Sequence, residues 1–384
     1  MIEYLRKNNT LTLEQKKELI KIRRNFFNPV IGVTGSLGKS TLIEMMSVVL
    51  STKGKVLRTP VGKGSWERNY KTLKRLNESF AFAIFEFDYQ AGRNFANILR
   101  FIKPSYALVT NIGDAHLVYL KEAMRVALQK SEVLKYLVRD GSAILNLDDE
   151  LASSLSNYFP VPNVYKFGLN QTADLFASDI KQLGPKGISF KINNDTECNL
   201  PLYSLSDVYT FLGCALTCMR LGFTLDEIIG SIKSKFHFPK GRGRVEKIKN
   251  YYLIDESYQG SSRSVSKASR ALVGFKPFVS KTVFIVGDMN EYGEKVEERH
   301  LNMGYFLSAL SIDYLITLGH YADFIGRGAS LIKTGSRKVI SVKNVDELIK
   351  TLKSILMPDM AISVKGLGNV VFHKIKMLLE KNKP

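Results

Sequence analysis

The residues whose types and spacing most directly imply chemistry are Thr34-Gly35-Ser36-Leu37-Gly38-Lys39-Ser40-Thr41. They follow an apolar run, Pro29 to Val33, that reads as a buried strand, and they lead into Leu42-Ile43-Glu44-Met45-Met46, which has helical spacing. A glycine-rich turn between a strand and a helix converges backbone N–H groups on an anion at the helix N-terminus. Gly35, Ser36, Gly38, Lys39, Ser40 and Thr41 are therefore the expected phosphate-binding residues. Lys39 adds a point charge for the outer phosphates, and the Ser40 hydroxyl suits a Mg²⁺ ion. Val33 stands where the strict G-x-x-x-x-G-K-[ST] pattern has its first glycine, so the motif is a shorter variant. A nucleoside triphosphate is the expected partner.

Further chemistry-bearing residues follow in order. Glu86 ends the apolar run Phe82–Phe87, and a carboxylate at a strand end near a phosphate loop is placed to bind Mg²⁺. His116 lies in Thr110-Asn111-Ile112-Gly113-Asp114-Ala115-His116-Leu117, as a metal ligand or a structural histidine. Lys130 sits in Gln129-Lys130-Ser131-Glu132-Val133 and reads by itself as a surface helix lysine. Asn146-Leu147-Asp148-Asp149 and Asp255-Glu256-Ser257-Tyr258 are two more acidic strand ends.

These residues need elements to hold them. Strands are expected at Val30–Thr34, Phe82–Phe87, Tyr106–Ile112 and Ala143–Leu147, with helices at Leu42–Thr52 and Ala123–Leu137 between them. That alternation predicts an α/β architecture with a mostly parallel sheet. Residues 160–202 are richer in Pro and Gly and predict a small antiparallel patch, before helices near 205–221 and 225–235. Phe238-Pro239-Lys240-Gly241-Arg242-Gly243-Arg244 is a basic, turn-rich junction. Beyond it, strands at Tyr251–Asp255, Thr282–Val286, Tyr314–Leu318 and Ala361–Val364 suit a Rossmann-like domain. The expected organisation is an N-terminal basic helical extension over 1–28, a central nucleotide-binding domain over 29–240 and a C-terminal domain over 241–384.

A chain of 384 residues exceeds one ordinary core, and 45% hydrophobic residues with 11 prolines fit folded protein throughout. The first residues lack a signal-peptide core, and no apolar run approaches a membrane span, so a cytoplasmic enzyme is expected. Cys214 and Cys218 lie four apart in an apolar helical stretch; with Cys198 they read as buried thiols. The net charge of +19 admits a polyanionic partner, but the cations are scattered, and no nucleic-acid partner is expected. The nearest cluster, Arg6 to Arg24, reads as the solvated face of an amphipathic helix over 12–27, started by a Thr12/Gln15 capping box.

Taken together, these segments resemble the Mur ligase family, the ATP-dependent amide-forming enzymes of peptidoglycan synthesis. The resemblance covers residues 29–384 and is nearest to the type that adds D-alanyl-D-alanine to the UDP-N-acetylmuramoyl-tripeptide. The matching segments are Thr34–Ser40, Thr110–Leu117, Gln129–Val133, Asn146–Asp149, Gly241–Arg244, Asp255–Tyr258, Gly287–Gly293 with His300, and Val364-Lys365-Gly366. The resemblance implies a P-loop ATPase domain plus a C-terminal Rossmann-like domain. It implies ATP phosphates held by Lys39 and the loop amides, and Mg²⁺ served by Ser40, Glu86 and His116. Lys130 matches a lysine commonly carried as a carbamate, a metal-binding group. Asp255 would contact the ATP ribose, and Arg242 or Arg244, with Arg244 preferred, would reach the phosphates as the C-terminal domain closes. The implied substrates are a carboxylate and an amine, joined through an acyl phosphate.

The chain also departs from the family pattern. Only 28 residues precede the first strand, where the relatives carry a UDP-sugar-gripping domain. Gly62-Lys63-Gly64-Ser65-Trp66 replaces an asparagine-rich loop, Gln259-Gly260-Ser261-Ser262 replaces N-A-N-P, and Leu367-Gly368 replaces S-R. Ser206 and Thr210 stand where relatives tend to have His and Asn near the nucleotide. An acid other than the UDP-muramoyl peptide is the expectation these changes support. The alternatives are a true D-alanyl-D-alanine-adding ligase, or a catalytically inactive nucleotide-dependent module on nucleic acid or membrane. The oligomeric state is not readable from the sequence.

Overall fold

The computed structural model describes residues 11–382 apart from 63, 89–94, 113–119, 259, 291–294 and 333–336; for 120–126 it describes the backbone only. The described residues form two compact units. One comprises residues up to Asp179, Phe190–Cys198 and Asp207–Phe236; the other comprises Ile180–Ser189, Asn199–Ser206 and the chain from His237.

The first sheet has nine strands: β1 (Val30–Thr34), β2 (Val56–Arg58), β3 (Phe82–Glu86), β4 (Tyr106–Val109), β5 (Ser142–Asn146), β6 (Asn163–Gly168), β7 (Leu175–Gln182), β8 (Ile188–Ile192) and β9 (Thr196–Leu200). Their order is β2-β3-β1-β4-β5-β6-β7-β8-β9. Pairs from β2 to β7 are parallel. β1, β3 and β5 are buried at every position, as expected of strands covered on both faces. The chain leaves β1 for β2 and β3 on one side and returns to β4 on the other. The loop after β1 therefore sits at the point where strand order reverses, the usual ligand crevice of an open parallel sheet.

The expected antiparallel patch at 160–202 is not a separate sheet. β6 pairs parallel with both β5 and β7, so it extends the main sheet. The antiparallel character lies in β7, β8 and β9. Leu183 N–H donates to the Gly187 carbonyl and Asn193 N–H to the Phe176 carbonyl, the register of an antiparallel β7–β8 pair. The turn residues Asn193 and Asn194 between β8 and β9 both have positive φ, the signature of a two-residue type I′ turn.

The second sheet contains β10 (Arg244–Ile248), β11 (Tyr251–Glu256), β12 (Lys281–Val286), β13 (Tyr314–Leu318), β14 (Lys338–Val342) and β15 (Met360–Lys365), in the order β10-β11-β15-β12-β13-β14. Only β10 is antiparallel to its neighbour. β2, β10 and β14 are not among the strands expected from the sequence. β2 has three residues, and β10 and β14 are edge strands with charged or half-exposed positions, so none shows a long apolar run.

The N-terminal helix, Leu13–Arg24, starts at the Thr12/Gln15 capping box. It is fixed by buried Leu19 and Phe26 and by Arg23. The Arg23 guanidinium donates to the carbonyls of Ile102, Phe26 and Lys103. All three cysteines are buried and unpaired with each other by disulfide; burial pushes the Cys198 thiol up to about 12 and raises that of Cys214.

Candidate functional site

The loop after β1 is shaped by two glycines that no other residue replaces without strain. Gly35 has φ 142°, and a Cβ there would lie 1.9 Å from the Thr110 hydroxyl; Gly38 has φ 84°, and its Cβ would lie 2.8 Å from the Thr210 hydroxyl. Gly38 caps the helix Lys39–Leu50 in the left-handed conformation and offers no side-chain cap. The first intrahelical bond is Leu42 N–H to the Gly38 carbonyl. The preceding N–H groups at this end have no acceptor within the helix, as helix geometry requires. Their partial positive charge makes this a phosphate-sized anion site.

The loop is held by the segment after β4. Asn111 accepts from Leu37 N–H at 3.0 Å and its amide donates back to the Leu37 carbonyl at 3.1 Å. Thr110 donates to the same carbonyl at 2.6 Å. Ser36 donates through its backbone N–H to the Asn111 carbonyl and through its hydroxyl to the Ile112 carbonyl. Asn146 anchors the Thr110 carbonyl in turn, and Asp149 accepts from Ile112 N–H. Whereas the residue types in that segment point by themselves only to His116, Thr110 and Asn111 are the loop's frame. Their signal was an amide and a hydroxyl directly after a buried strand. His116 itself lies outside the described residues.

Two ammonium groups meet on one carbonyl. Lys39 donates to the Gly35 carbonyl at 2.8 Å and pairs with Asp88 at 3.2 Å. Lys130 donates to the same carbonyl at 3.0 Å and is 3% exposed. The plain reading of Lys130 as a surface helix lysine is thus wrong. The correction has a visible cause: β1 carries Gly32, whose missing Cβ would lie 2.8 Å from Val133. The helix Leu120–Lys135 packs so closely there that Lys130, a turn before Val133, faces the loop.

Beside the loop, the buried Ser40 hydroxyl is 3.5 Å from a carboxylate oxygen of buried Glu86. Two hard oxygen donors at this spacing suit a divalent cation such as Mg²⁺. Among the described residues, no group of three His, Cys, Asp or Glu forms a larger metal cluster. The other Glu86 oxygen accepts from Gly62 N–H at 3.2 Å, and a Cβ on Gly64 would lie 2.8 Å from the Glu86 carbonyl. Gly62 and Gly64 of the rewritten segment therefore rest directly on Glu86. Its Trp66 stacks on Tyr70 at 5.5 Å, with the indole N–H buried and without a hydrogen-bond partner.

In the C-terminal unit the motif residues make a second cluster at strand ends. Asp255 accepts from Gly241 N–H (2.8 Å), Ser257 N–H (3.1 Å) and the Ser257 hydroxyl (2.6 Å), which fixes the glycine turn before β10. Arg242 lies over the Tyr258 ring at 3.7 Å, whereas Arg244 opens edge strand β10 and pairs with Glu246 at 3.3 Å. Glu256 bridges Lys267 (3.7 Å) and Lys365 (3.8 Å). Burial pushes the Lys365 ammonium down to about 8; Glu256 opposes the fall, while Lys267 and Arg242 add to it. His300 is buried and structural: Nε2 accepts from Met289 N–H and Nδ1 donates to the Val296 carbonyl, which holds the 287–289 turn.

A glycine loop at the switch point of a parallel sheet, with a second mostly parallel α/β sheet behind it in the chain, defines a two-unit P-loop protein. Residues 33–218 match the Mur ligase middle domain. The chain thus carries a Mur ligase middle domain and is an ATP-dependent amide-bond-forming ligase. It is 29% identical over 358 residues to the UDP-N-acetylmuramoyl-tripeptide–D-alanyl-D-alanine ligase of Synechocystis sp., covering 91% of this chain and 75% of that relative. The enzyme of the same name from Escherichia coli is 26% identical, with 92% and 77% covered. Among solved structures, MurF from Acinetobacter baumannii matches with a TM-score of 0.81 at 23% identity over 96% of this chain and 80% of that one. MurF from Thermotoga maritima in complex with ADP gives 0.78 at 23%, over 97% and 84%.

Proposed function

We propose that this ligase uses ATP to activate a peptide carboxylate and transfers the acyl group to the amine of a dipeptide of the D-alanyl-D-alanine class. The observation that carries the reading is the convergence of Lys39 and Lys130 on the Gly35 carbonyl, beside an uncapped helix N-terminus and the Ser40–Glu86 pair. The dipeptide comes from the names of the curated relatives.

In the first step the carboxylate oxygen attacks the γ-phosphorus, the bond to the β-phosphate oxygen breaks, and ADP leaves. In the second the amine attacks the acyl carbon, phosphate departs, and the amine loses a proton. Lys39 and the loop amides would stabilise the charge that gathers on the β- and γ-phosphates. Ser40 and Glu86 would hold Mg²⁺, which supplies electrostatic neutralisation of the phosphates when bound. Lys130 would act as a carbamate; its nitrogen keeps one hydrogen, so the bond to Gly35 survives the modification. Asp255 as a ribose contact, and Arg242 or Arg244 as a phosphate contact, rest on the resemblance alone.

A second reading concerns the acid. The changed residues at 62–66, adjoining Glu86, support a carboxylate other than the UDP-N-acetylmuramoyl-tripeptide. Phosphate release and mass spectrometry of products, with D-alanyl-D-alanine and either the UDP-linked tripeptide or nucleotide-free peptide acids, separates the two. The expected result is amide product only when acid, amine and ATP are all present, with activity falling as bicarbonate is depleted. ATP hydrolysis indifferent to both acid and amine would overturn the ligase assignment to these substrates.

A further inference from the structure

The N-terminal helix presents an outward face that its fold does not use. Leu13 is 68% exposed, Ile20 40% and Phe27, just past the helix, 91%. At about 100° per residue, Leu13, Lys17, Ile20 and Arg24 fall within a sector of roughly 60°. Lys21 flanks it, and Lys17, Lys21 and Arg24 are all exposed. The opposite side is committed to the core through Leu19 and Phe26, and Arg23 clamps the helix to the carbonyls of 102 and 103. Of the helix's two acidic residues, Glu18 points away from the face and is engaged by Lys74 at 3.1 Å, and exposed Glu14 lies beside Lys21 at the edge of the face, about 90° from its centre. Apolar side chains on a line, interleaved with cations on a chain of net charge +19, are the composition of a helix that lies in a lipid interface. No helix among the described residues is long and apolar enough to cross a membrane, so the contact is peripheral.

We propose that the Leu13–Phe27 face docks this enzyme on an anionic lipid surface, with Leu13, Ile20 and Phe27 in the acyl boundary and Lys17, Lys21 and Arg24 among the headgroups. Charge complementarity selects the occupant: a neutral apolar partner would leave three cations facing it, whereas an anionic interface satisfies both kinds of side chain.

The test is co-sedimentation of the full chain with vesicles of phosphatidylcholine alone or mixed equally with phosphatidylglycerol. Binding is expected only to the mixed vesicles and is expected to fall steeply with salt. Leu13→Ser/Ile20→Ser/Phe27→Ser abolishes it, and Lys17→Gln/Arg24→Gln weakens it by about fivefold per cation. Phosphate release in solution and the thermal midpoint stay unchanged in both variants. The control is Val370→Ser/Met377→Ser, which removes a similarly spaced, 73% and 48% exposed pair on the helix Gly368–Lys381. No sedimentation with mixed vesicles, binding indifferent to the triple variant, or release by the control instead overturns the proposal. So does a vesicle-independent dimer that the triple variant dissociates, which would make a second copy the occupant.

Discussion

The two strand-end clusters solve the same problem in opposite ways. In the N-terminal unit most of the phosphate loop is framed by neutral groups, Thr110, Asn111 and the Ser36 hydroxyl, and charge enters only where Lys39 and Lys130 donate to the Gly35 carbonyl and Asp149 accepts from Ile112 N–H. In the C-terminal unit the turn and strand ends are held by charges: Asp255 binds three donors, and Glu256 sits between Lys267 and Lys365. A frame of neutral hydrogen bonds keeps its shape when a highly charged ligand arrives or leaves. A frame of ion pairs changes its energy with every change of charge or pH, because a buried charge that loses its partner is costly. The first cluster is thus preorganised for phosphate, and the second is electrostatically tuned.

The sharpest break of this contrast is Lys39→Ala. It is expected to lower ligase turnover by roughly a thousandfold, because the proposed electrostatic contact of Lys39 to the transferring phosphoryl group is lost. The fold should survive, since Lys130 still donates to the Gly35 carbonyl that Lys39 leaves. Retained turnover in a phosphate-release assay would show that the loop amides suffice.

Asn111→Ala attacks the frame itself. Leu37 would lose a partner for its N–H and one of two for its carbonyl, a cost of about 1–3 kcal/mol. Denaturant unfolding should register that loss, and the KM for ATP should rise by roughly tenfold as the loop loosens. An unaltered KM with reduced stability would separate framing from binding.

Lys365→Met tests the tuned cluster through pH. The folded chain holds Lys365 near 8 against 10.5 when solvated, so below about pH 8 it keeps a buried ammonium at a penalty of roughly 3 kcal/mol. The unfolded chain binds the extra proton between those values, so this contribution to stability improves as pH rises from about 8 to 10.5. Thermal melts should show that rise in the wild type relative to the variant. Parallel pH profiles would mean the cluster is not tuned by this lysine.

The smallest expected effect is Tyr258→Leu, which removes the ring under Arg242 and should cost about 1 kcal/mol in stability while leaving the Asp255 turn intact. Paired with Arg242→Ala in a double-mutant cycle, it measures whether the stacking is real coupling or mere adjacency.

Much of the fold was legible because buried parallel strands are apolar runs: β1, β3, β4 and β5 were each readable from composition, as were β11, β12, β13 and β15. Short or charged strands were not, and β10, which begins at the last residue of the basic junction, was missed because alternation in Arg244–Ile248 is interrupted by its charges. The phosphate loop was legible because glycine, lysine and hydroxyl spacing is local chemistry. Lys130 was not, since its burial depends on a glycine 98 residues away in β1.

By itself, then, the sequence determined the phosphate loop, the order of motifs that marks a Mur ligase, and the strong positive charge. Those properties depend on neighbours within a few residues or on simple summation. Only the tertiary structure decided that Lys39 and Lys130 share the Gly35 carbonyl, that Asn111 frames the loop, and that Leu13, Ile20 and Phe27 remain outside the core. Each of those outcomes is a contact or an exposure set by chain packing, and no local pattern encodes which distant residue will arrive.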